Sequence, residues 1–148
     1  MKRGVDTNVL MQAHLAGVPG HEPVAAWLRG QLRRSSVTLY VTVQVLHEFI
    51  HVVTDSRRFA PALTMAEALA ATRLWLGAAN VVCLPTEAED MMLAIELIGR
   101  HRLGRNRIAD TLFAATLLRH DVGEIATGNA ADFQVFDDLR VIDPRAAG

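Results

Sequence analysis

The chain has 148 residues, of which 51% are hydrophobic and 21% are charged, a balance typical of a globular protein that excludes an intrinsically disordered chain. Its formal net charge of −1 at pH 7 excludes a broadly basic surface, so any nucleic-acid contact must use a local patch. The length is most simply that of one domain, residues 1–148, which buries roughly 70% of its unfolded surface on folding.

Strands and helices are predicted to alternate along the chain. Residues 3–11 form an apolar segment that we interpret as a first strand, although the polar triplet Asp6-Thr7-Asn8 interrupts it. Further strands are predicted where β-branched and apolar residues cluster, at 37–43, 81–84, 124–127 and 140–143. Helices are predicted at 21–34, from 44, at 64–80, at 86–101 and from 106, the helices near 64 and 86 opening with capping-box spacing.

This alternation predicts right-handed crossovers and a mostly parallel sheet that is covered on both faces. The expected fold class is α/β, a three-layer α/β/α domain. In such folds ligands bind beyond the carboxyl ends of the strands. Polar residues at those ends are therefore the candidates for a functional site.

The single cysteine, Cys83, excludes an internal disulfide and suits a reducing compartment. The polar residues Asp6 and Asn8 interrupt the chain before any apolar signal segment forms. No apolar run approaches the ~18 residues of a membrane span. We expect a cytoplasmic protein without a membrane partner.

Four acidic residues are expected at one edge of the sheet. They are Asp6 at the end of the first strand, Glu48 on the polar side of the helix from 44, Asp110 opening the helix "DTLFAATLL", and Asp132 beyond the strand at 124–127. Each alone has an ordinary explanation, as a helix cap, a solvated helix face, a first-turn acid or a loop residue. Asn129 is a further polar candidate in the last loop.

Several carboxylates in one small space repel each other, and their pKa values rise unless a cation neutralises them. Mg²⁺ takes oxygen ligands, keeps several waters and favours sites that also bind substrate phosphate. The arrangement therefore indicates hydrolysis of a phosphodiester by a metal-activated water.

A basic segment precedes Asp110 in the sequence. In "GRHRLGRNR", Arg102, Arg105 and Arg107 are candidates for holding phosphates near the acids. The favourable interaction of cations with a helix end explains Arg102 without any ligand, but it explains Arg105 and Arg107 less well. Arg57 and Arg58 form a second, weaker patch.

The stretch "HEFIH" offers a competing interpretation. His47, Glu48 and His51 satisfy the H-E-x-x-H pattern of zinc metalloproteases, in which two histidines bind zinc and the glutamate is the general base. No third ligand has a recognisable context, and a protease leaves the other acids unexplained. We interpret Glu48 as functional and the histidines as flanking it by coincidence, with a substrate contact by His47 or His51 still open.

Four motifs, in this order, resemble the PIN-domain ribonucleases, and most closely the VapC-type toxins of prokaryotic toxin–antitoxin pairs. The motifs are "VDTNVL" with Asp6, "TVQVLHEFI" with Glu48, "IADTLFAAT" with Asp110 and "ATGNAADF" with Asp132. Together they extend over nearly the whole chain. One departure is that many relatives carry an aspartate at the place of Asn129, which leaves open whether Asp132 or Asn129 completes the metal site.

The resemblance implies a PIN fold and an endoribonuclease that depends on Mg²⁺, with Mn²⁺ as a substitute. It implies that Asp6, Glu48 and Asp110 hold the metal, with Asp132 as fourth acid. The polar residues that would orient these acids are Thr7, Asn8, Thr127 and Asn129. It also implies a homodimer and inhibition by a small cognate antitoxin of the VapB type.

Three other classes of protein are alternatives to this interpretation. A haloacid-dehalogenase phosphatase needs a second aspartate two residues after the first, and this chain has Asn8 there. A nucleotide-binding Rossmann domain needs a glycine-rich first turn, which "VDTNVLM" lacks. A catalytically inactive binding module on the PIN fold stays open, although the retained acids argue against it.

Overall fold

Five parallel strands form the centre of the computed structural model, which describes residues 1–146. They are β1 Lys2–Val5, β2 Thr38–Thr42, β3 Val81–Leu84, β4 Glu124–Ala126 and β5 Arg140–Ile142. Their order is β3-β2-β1-β4-β5, and each neighbouring pair is parallel. The chain thus builds outward from β1 in one direction and then returns to its other side, which makes the gap between β1 and β4 the switch point where such sheets bind ligands.

Helices flank this sheet. They are α1 Thr7–His14, α2 His21–Leu32, α3 Val43–Val53, α4 Met65–Gly77, α5 Ala88–His101, α6 Ile108–Arg119 and α7 Ala130–Phe133, with a 3-10 turn at Arg105–Arg107. The three-layer α/β fold predicted from the sequence is confirmed. No helix within residues 1–146 is long and apolar enough to cross a membrane.

The core consists of apolar side chains from the central strands and from helices that include α1, α3 and α6, among them Val5, Val9, Phe49 and Leu117, all of them fully buried. Close packing of α6 on β1 depends on a glycine. A Cβ built on Gly4 would lie 2.4 Å from Leu117 Cδ1, a separation that real atoms do not tolerate. This contact fixes the last turn of α6 against β1, two residues before Asp6.

The prediction of a strand over residues 3–11 is wrong in its second half. β1 ends at Val5, and Asp6 is the N-cap of α1, with its side chain accepting from Thr7 N. Val9 and Leu10 are buried as the inner face of a helix. A short apolar run has no periodicity that distinguishes a strand from a buried helix, which is why the sequence misled here.

The helix starts were predicted with mixed success. The capping box of Thr64 and Glu67 is present, with reciprocal hydrogen bonds of 3.0 and 3.1 Å. At α5 the box lies one residue later than predicted, because Asp90 rather than Glu89 accepts from the backbone, here from Glu87 N at 2.8 Å. The short helix α7 had no periodic signal, since a single turn is too short to show one.

Candidate active site

The carboxyl ends of β1 and β4 bring together residues from both ends of the chain. Asp6 follows β1, Thr127 follows β4, and the two strands pair directly. From the neighbouring β2 the chain enters α3, whose N-cap Thr42 accepts from Val45 N at 3.2 Å and so fixes the start of the helix that carries Glu48. Asp110 lies in the first turn of α6.

These elements enclose a cleft of about 350 Å³ at this sheet edge. Asp6, Glu48 and Asp110 all line it. Asp6 is buried, Asp110 is half-buried and Glu48 is exposed. The structure therefore brings three of the four predicted acids to one cavity, with a gradient of exposure to solvent among them.

Asp6 is held by three hydrogen bonds. Its Oδ1 accepts from Thr7 N at 2.7 Å, and its Oδ2 accepts from Thr127 Oγ1 at 2.8 Å and from Asn8 Nδ2 at 3.1 Å. Only 8% of the residue is exposed. The carboxylate is thereby fixed in one orientation before any ligand arrives.

Thr127 and Asn8 connect the two halves of the site. Thr127 Oγ1 accepts from Asn129 N at 3.0 Å and from Asn8 Nδ2 at 3.3 Å, and Asn8 Oδ1 accepts from Gly128 N at 2.9 Å. A network of polar groups thus ties the loop after β4 to the start of α1. Three of the residues predicted to orient the acids, Asn8, Thr127 and Asn129, take part in it, Asn129 through its backbone.

The fourth predicted orienting residue, Thr7, joins α1 to α3. Its hydroxyl donates to Glu48 Oε2 at 3.1 Å. Thr7 is itself buried, so this contact holds one oxygen of the otherwise exposed Glu48 carboxylate at the cleft wall. Glu48 and Asp6 are in this way both positioned by the first turn of α1.

The carboxylates are electrostatically strained. Burial raises the pKa of Asp6 to about 6, and the charges of Asp110 and Glu48 add to this, while the hydrogen bond from Thr127 opposes it. Burial also raises the pKa of Asp110 to about 6, with added repulsion from Asp132 and Glu48 and a partial offset by Arg107. A cation in the cleft would make ionisation of both carboxyl groups more favourable and so lower their pKa values.

The donor set fits a hard cation. The ligand atoms that the cleft offers are carboxylate oxygens of Asp6, Glu48 and Asp110, the type that Mg²⁺ and Mn²⁺ prefer. Within residues 1–146, no three side chains of the His, Cys, Asp and Glu types are clustered tightly enough to enclose a metal.

Asp132 lies beside the cleft and not among the residues that line it. Its Oδ1 is 3.6 Å from Arg107 Nε, which is within the range of an ion pair but too long for a hydrogen bond, and Arg107 Nη2 donates to the Asp132 carbonyl. Its charge reaches the site by raising the pKa of Asp110. Asn129, by contrast, does line the cleft.

The predicted phosphate-binding arginines are placed differently from one another. Arg107 is tied to Asp132, while Arg102 and Arg105 are exposed and outside the lining of the cleft. The arginines that do line it are Arg58 and Arg145. The only sequence signal for Arg58 was the weak Arg57–Arg58 patch, and Arg145 had none, because its position depends on how the last loop folds back.

The "HEFIH" stretch lies on the polar face of α3, with His47, Glu48 and His51 all exposed. Of these three, only Glu48 lines the cleft. In the described part of the chain no further His, Cys, Asp or Glu groups with the two histidines into a metal site. The geometry thus does not favour the zinc protease.

Comparison with known proteins agrees with this geometry. A family model described as "PIN domain" matches residues 5–139. Ribonuclease VapC24 of Mycobacterium tuberculosis is 31% identical over 144 residues, covering 95% of this chain and 94% of that protein.

Two solved structures share the fold. The structure of VapC20 of Mycobacterium tuberculosis, described as a sarcin–ricin loop cleaving toxin, superposes with a TM-score of 0.71 at 16% identity, covering 90% of this chain and 95% of that one. VapBC2 from Rickettsia felis, bound to a DNA fragment from the promoter, gives 0.67 at 16% identity, covering 96% and 98%.

Proposed function

Because the chain belongs to the PIN-domain family, we propose that it is a ribonuclease toxin of the VapC type that hydrolyses RNA phosphodiester bonds with Mg²⁺, or Mn²⁺ in its place, in the cytoplasm. The observation that carries this proposal is the convergence of Asp6, Glu48 and Asp110 on one cleft. The pKa values of Asp6 and Asp110, raised first by burial and further by neighbouring acids, support it, since such carboxylates are typical of a functional site.

Asp6, Glu48 and Asp110 would hold the metal, and Asp132 would act on it through Asp110. Bound Mg²⁺ supplies an acidified water and neutralises charge that develops on the phosphate. The protein supplies orientation, because Thr127, Asn8 and the Thr7 amide hold Asp6 in place.

The more exposed groups of the cleft serve the substrate. Glu48 is the most exposed of the three acids, so its carboxylate is the one best placed to accept a proton from water entering the cleft. Arg58 and Arg145 line the same cleft and offer guanidinium groups to the RNA phosphates. Arg102 and Arg105 are exposed beyond it, where they could contact a longer RNA.

Cleavage of total RNA by the purified protein tests the proposal. We expect cutting with added Mg²⁺, none with a chelator, and none for Asp6→Asn, which keeps the side-chain size but removes the charge. His51→Ala is the matched control on α3 and should cut as wild type does. Circular dichroism should show that both variants are folded.

Other outcomes separate the alternatives. An active, folded Asp6→Asn protein would overturn the site assignment. Peptidase activity that requires zinc and is lost in His51→Ala would favour the metalloprotease. RNA binding without cleavage by any metal-loaded preparation would favour an inactive binding module.

We also propose a small antitoxin of the VapB type as partner. The acidic cleft would accept an arginine from such a protein, since bidentate pairing with carboxylates is favourable. Exposed apolar side chains on α4, Leu74 and Leu76, offer further surface for it to cover. Purification of the complex from the native host tests this, and recovery of the chain without a small DNA-binding protein would count against it.

The homodimer stays a prediction of the family resemblance. The exposed apolar residues of α5, Met92 and Ile95, are candidates for contacts between two copies. Sedimentation equilibrium of the chain without antitoxin measures its state directly.

A further inference from the structure

A second cavity, of about 260 Å³, adjoins the acidic cleft. Its walls come from the loop after α1, with Leu15, Val18 and Pro19, and from the loop after α3, with Arg58 and Phe59. Arg58 lines both this cavity and the cleft. We refer to the second cavity as the side pocket.

A contact along α1 also links the two cavities. Gln12 lines the cleft, and its Nε2 donates to the carbonyl of Pro19 at 3.5 Å, in the wall of the side pocket. The other side-chain atom of Gln12, Oε1, is buried and has no hydrogen-bond partner among the described residues. Gln12, like Arg58, thus lies where the side pocket meets the cleft.

The walls suit a flat, partly polar ring. Leu15 is buried, Val18 and Phe59 are half-buried, and together they present apolar surface. The Arg58 guanidinium carbon lies 5.4 Å from the centre of the Phe59 ring, in the range of a cation–π contact. Aromatic rings and guanidinium planes are the surfaces on which proteins stack unpaired RNA bases.

The position of the side pocket fits a nucleotide near the cut. Leu15 follows Asp6 by the length of α1, roughly 13 Å along the helix axis at 1.5 Å per residue. A stacked strand advances about 3.4 Å per nucleotide. Leu15 is thus a few nucleotides from Asp6, while Arg58 lines both cavities, so a base beside the cut or a few nucleotides away can reach the pocket.

We propose that the side pocket receives an unpaired base of the RNA substrate and that Phe59 and Arg58 determine which sequences are cut. This inference rests on the proposed nuclease function of the neighbouring cleft. The volume, about 260 Å³ and just below the roughly 300–1,000 Å³ typical of ligand pockets, suits one ring system rather than a folded segment of RNA or protein.

The chain provides its own matched control in the adjacent arginine. Arg57 has 91% of its side chain exposed and pairs with Asp55 at 3.3 Å, and it lines neither cavity. Arg57→Ala and Arg58→Ala therefore remove the same charge from the same loop, but only Arg58→Ala alters the pocket. Phe59→Leu removes the aromatic face while it keeps an apolar side chain, which protects the fold.

The first experiment maps the cut sites in a random-sequence RNA pool by sequencing the product ends. Wild type and Arg57→Ala should share a base preference at one position near the cut. Arg58→Ala and Phe59→Leu should lose that preference and raise KM roughly tenfold, with a smaller change in kcat. Unchanged preference in both pocket variants, or an equal loss in Arg57→Ala, would overturn the proposal.

The second experiment requires no cleavage. The four nucleoside 5′-monophosphates are titrated into metal-free protein, and the backbone amide signals of Gly17, Val18 and Phe59 are followed by NMR, with Gly123 at the opposite sheet edge as reference. We expect shifts with at least one nucleotide and none with ribose 5-phosphate, which lacks the base. The shifts should disappear in Phe59→Leu and persist in Arg57→Ala.

The two readouts distinguish failure of the pocket from failure of the nuclease. Base-dependent shifts in a protein that cuts no RNA would support the pocket and reject the nuclease. Cutting with no shift for any nucleotide and with unchanged preference in the variants would reject the pocket alone, and a side chain of a protein partner would then be its better occupant.

Discussion

Two charged residues at opposite ends of β1 are equally buried, but only one of them has an ion-pair partner. Arg3 and Asp6 expose 7% and 8% of their surfaces. At the amino end, Arg3 donates to Glu124 Oε2 at 2.9 and 3.1 Å and to Gln31 Oε1 at 2.6 Å. At the carboxyl end, Asp6 accepts hydrogen bonds but has no ion pair among the described residues, and it faces two further acids.

The difference separates a structural charge from a functional one. A buried charge costs free energy unless it is paired, and the Arg3 end meets that cost within the folded protein. The Asp6 end leaves the cost unmet, which is the pattern expected where a ligand from outside completes the balance. The same strand thus stabilises the fold at one end and prepares a binding site at the other.

The largest effect should come from breaking the paired end. Arg3→Met keeps most of the side-chain volume but leaves Glu124 and Gln31 without their buried partner, so we expect a loss of about 3–5 kcal/mol in the free energy of unfolding, measured with urea. A loss below about 1 kcal/mol would mean that Arg140, which also pairs with Glu124, replaces the lost ion pair. The stability of the amino end of β1 would then not depend on Arg3.

The unpaired charge of Asp6 should make the stability of the metal-free protein depend on pH. The pKa of Asp6 is about 6 in the folded state against 3.8 for the unfolded reference, so the folded state binds more protons between these values and stability falls as pH rises through that window. The fall attributable to Asp6 is on the order of 3 kcal/mol, because each pKa unit corresponds to about 1.4 kcal/mol.

Comparison with Asp6→Asn isolates this contribution from other titrating groups. From about pH 4 to pH 7, the melting temperature of wild type should fall relative to that of Asp6→Asn. Added Mg²⁺ should raise the melting temperature of wild type more at pH 7 than at pH 4. A wild-type protein that gains stability relative to Asp6→Asn over this range, without metal, would contradict the picture of an uncompensated charge.

A smaller effect is expected from the group that orients Asp6. Thr127→Val keeps the side-chain shape but removes a hydroxyl that donates to Asp6 and accepts from two other groups, so it should cost about 1–3 kcal/mol in stability. Because this hydrogen bond lowers the pKa of Asp6, its loss should move the acid limb of the pH–rate profile to higher pH. Thr116→Val, a buried threonine of α6 away from the cleft, is the control and should leave the profile in place.

The smallest effect should come from a charge pair that is exposed on both sides. Arg100 and Glu96 pair at 2.6 Å on the surface of α5, with more than half of each side chain exposed. Arg100→Ala should change the free energy of unfolding by only about 0.3–0.5 kcal/mol, and less in high salt. A change as large as that of Arg3→Met would show that burial is not what distinguishes these charges.

Much of the fold could be predicted because periodicity and chain order carry it. The alternation of strands with amphipathic helices predicted the parallel sheet, and the rule that ligands bind at carboxyl ends directed attention to Asp6, Glu48 and Asp110. The switch from β1 to α1 at Asp6 could not be predicted, because a four-residue strand and an eight-residue helix carry too little pattern.

The rest of the site depends on contacts between distant segments. Arg58 and Arg145 reach the cleft through loops, whose paths leave no periodic signal in the sequence. Arg57 pairs with Asp55 in solvent, while the adjacent Arg58 lines two cavities. This difference in position follows from the turn after α3 and not from residue type. For the same reason the sequence could not separate Asn129, in the cleft, from Asp132, beside it.

The hydrogen bond from Thr127 to Asp6 joins residues separated by 121 positions in the chain. During synthesis on the ribosome, Asp6 remains without this partner until the chain has been extended as far as Thr127. β4 must also pair with β1 before the loop that carries Thr127 and Asn129 can close the cleft. The topology thus sets an order of events: a growing chain that has not reached β4 carries Asp6, Glu48 and Asp110 without Thr127, one of the groups that hold Asp6 in place.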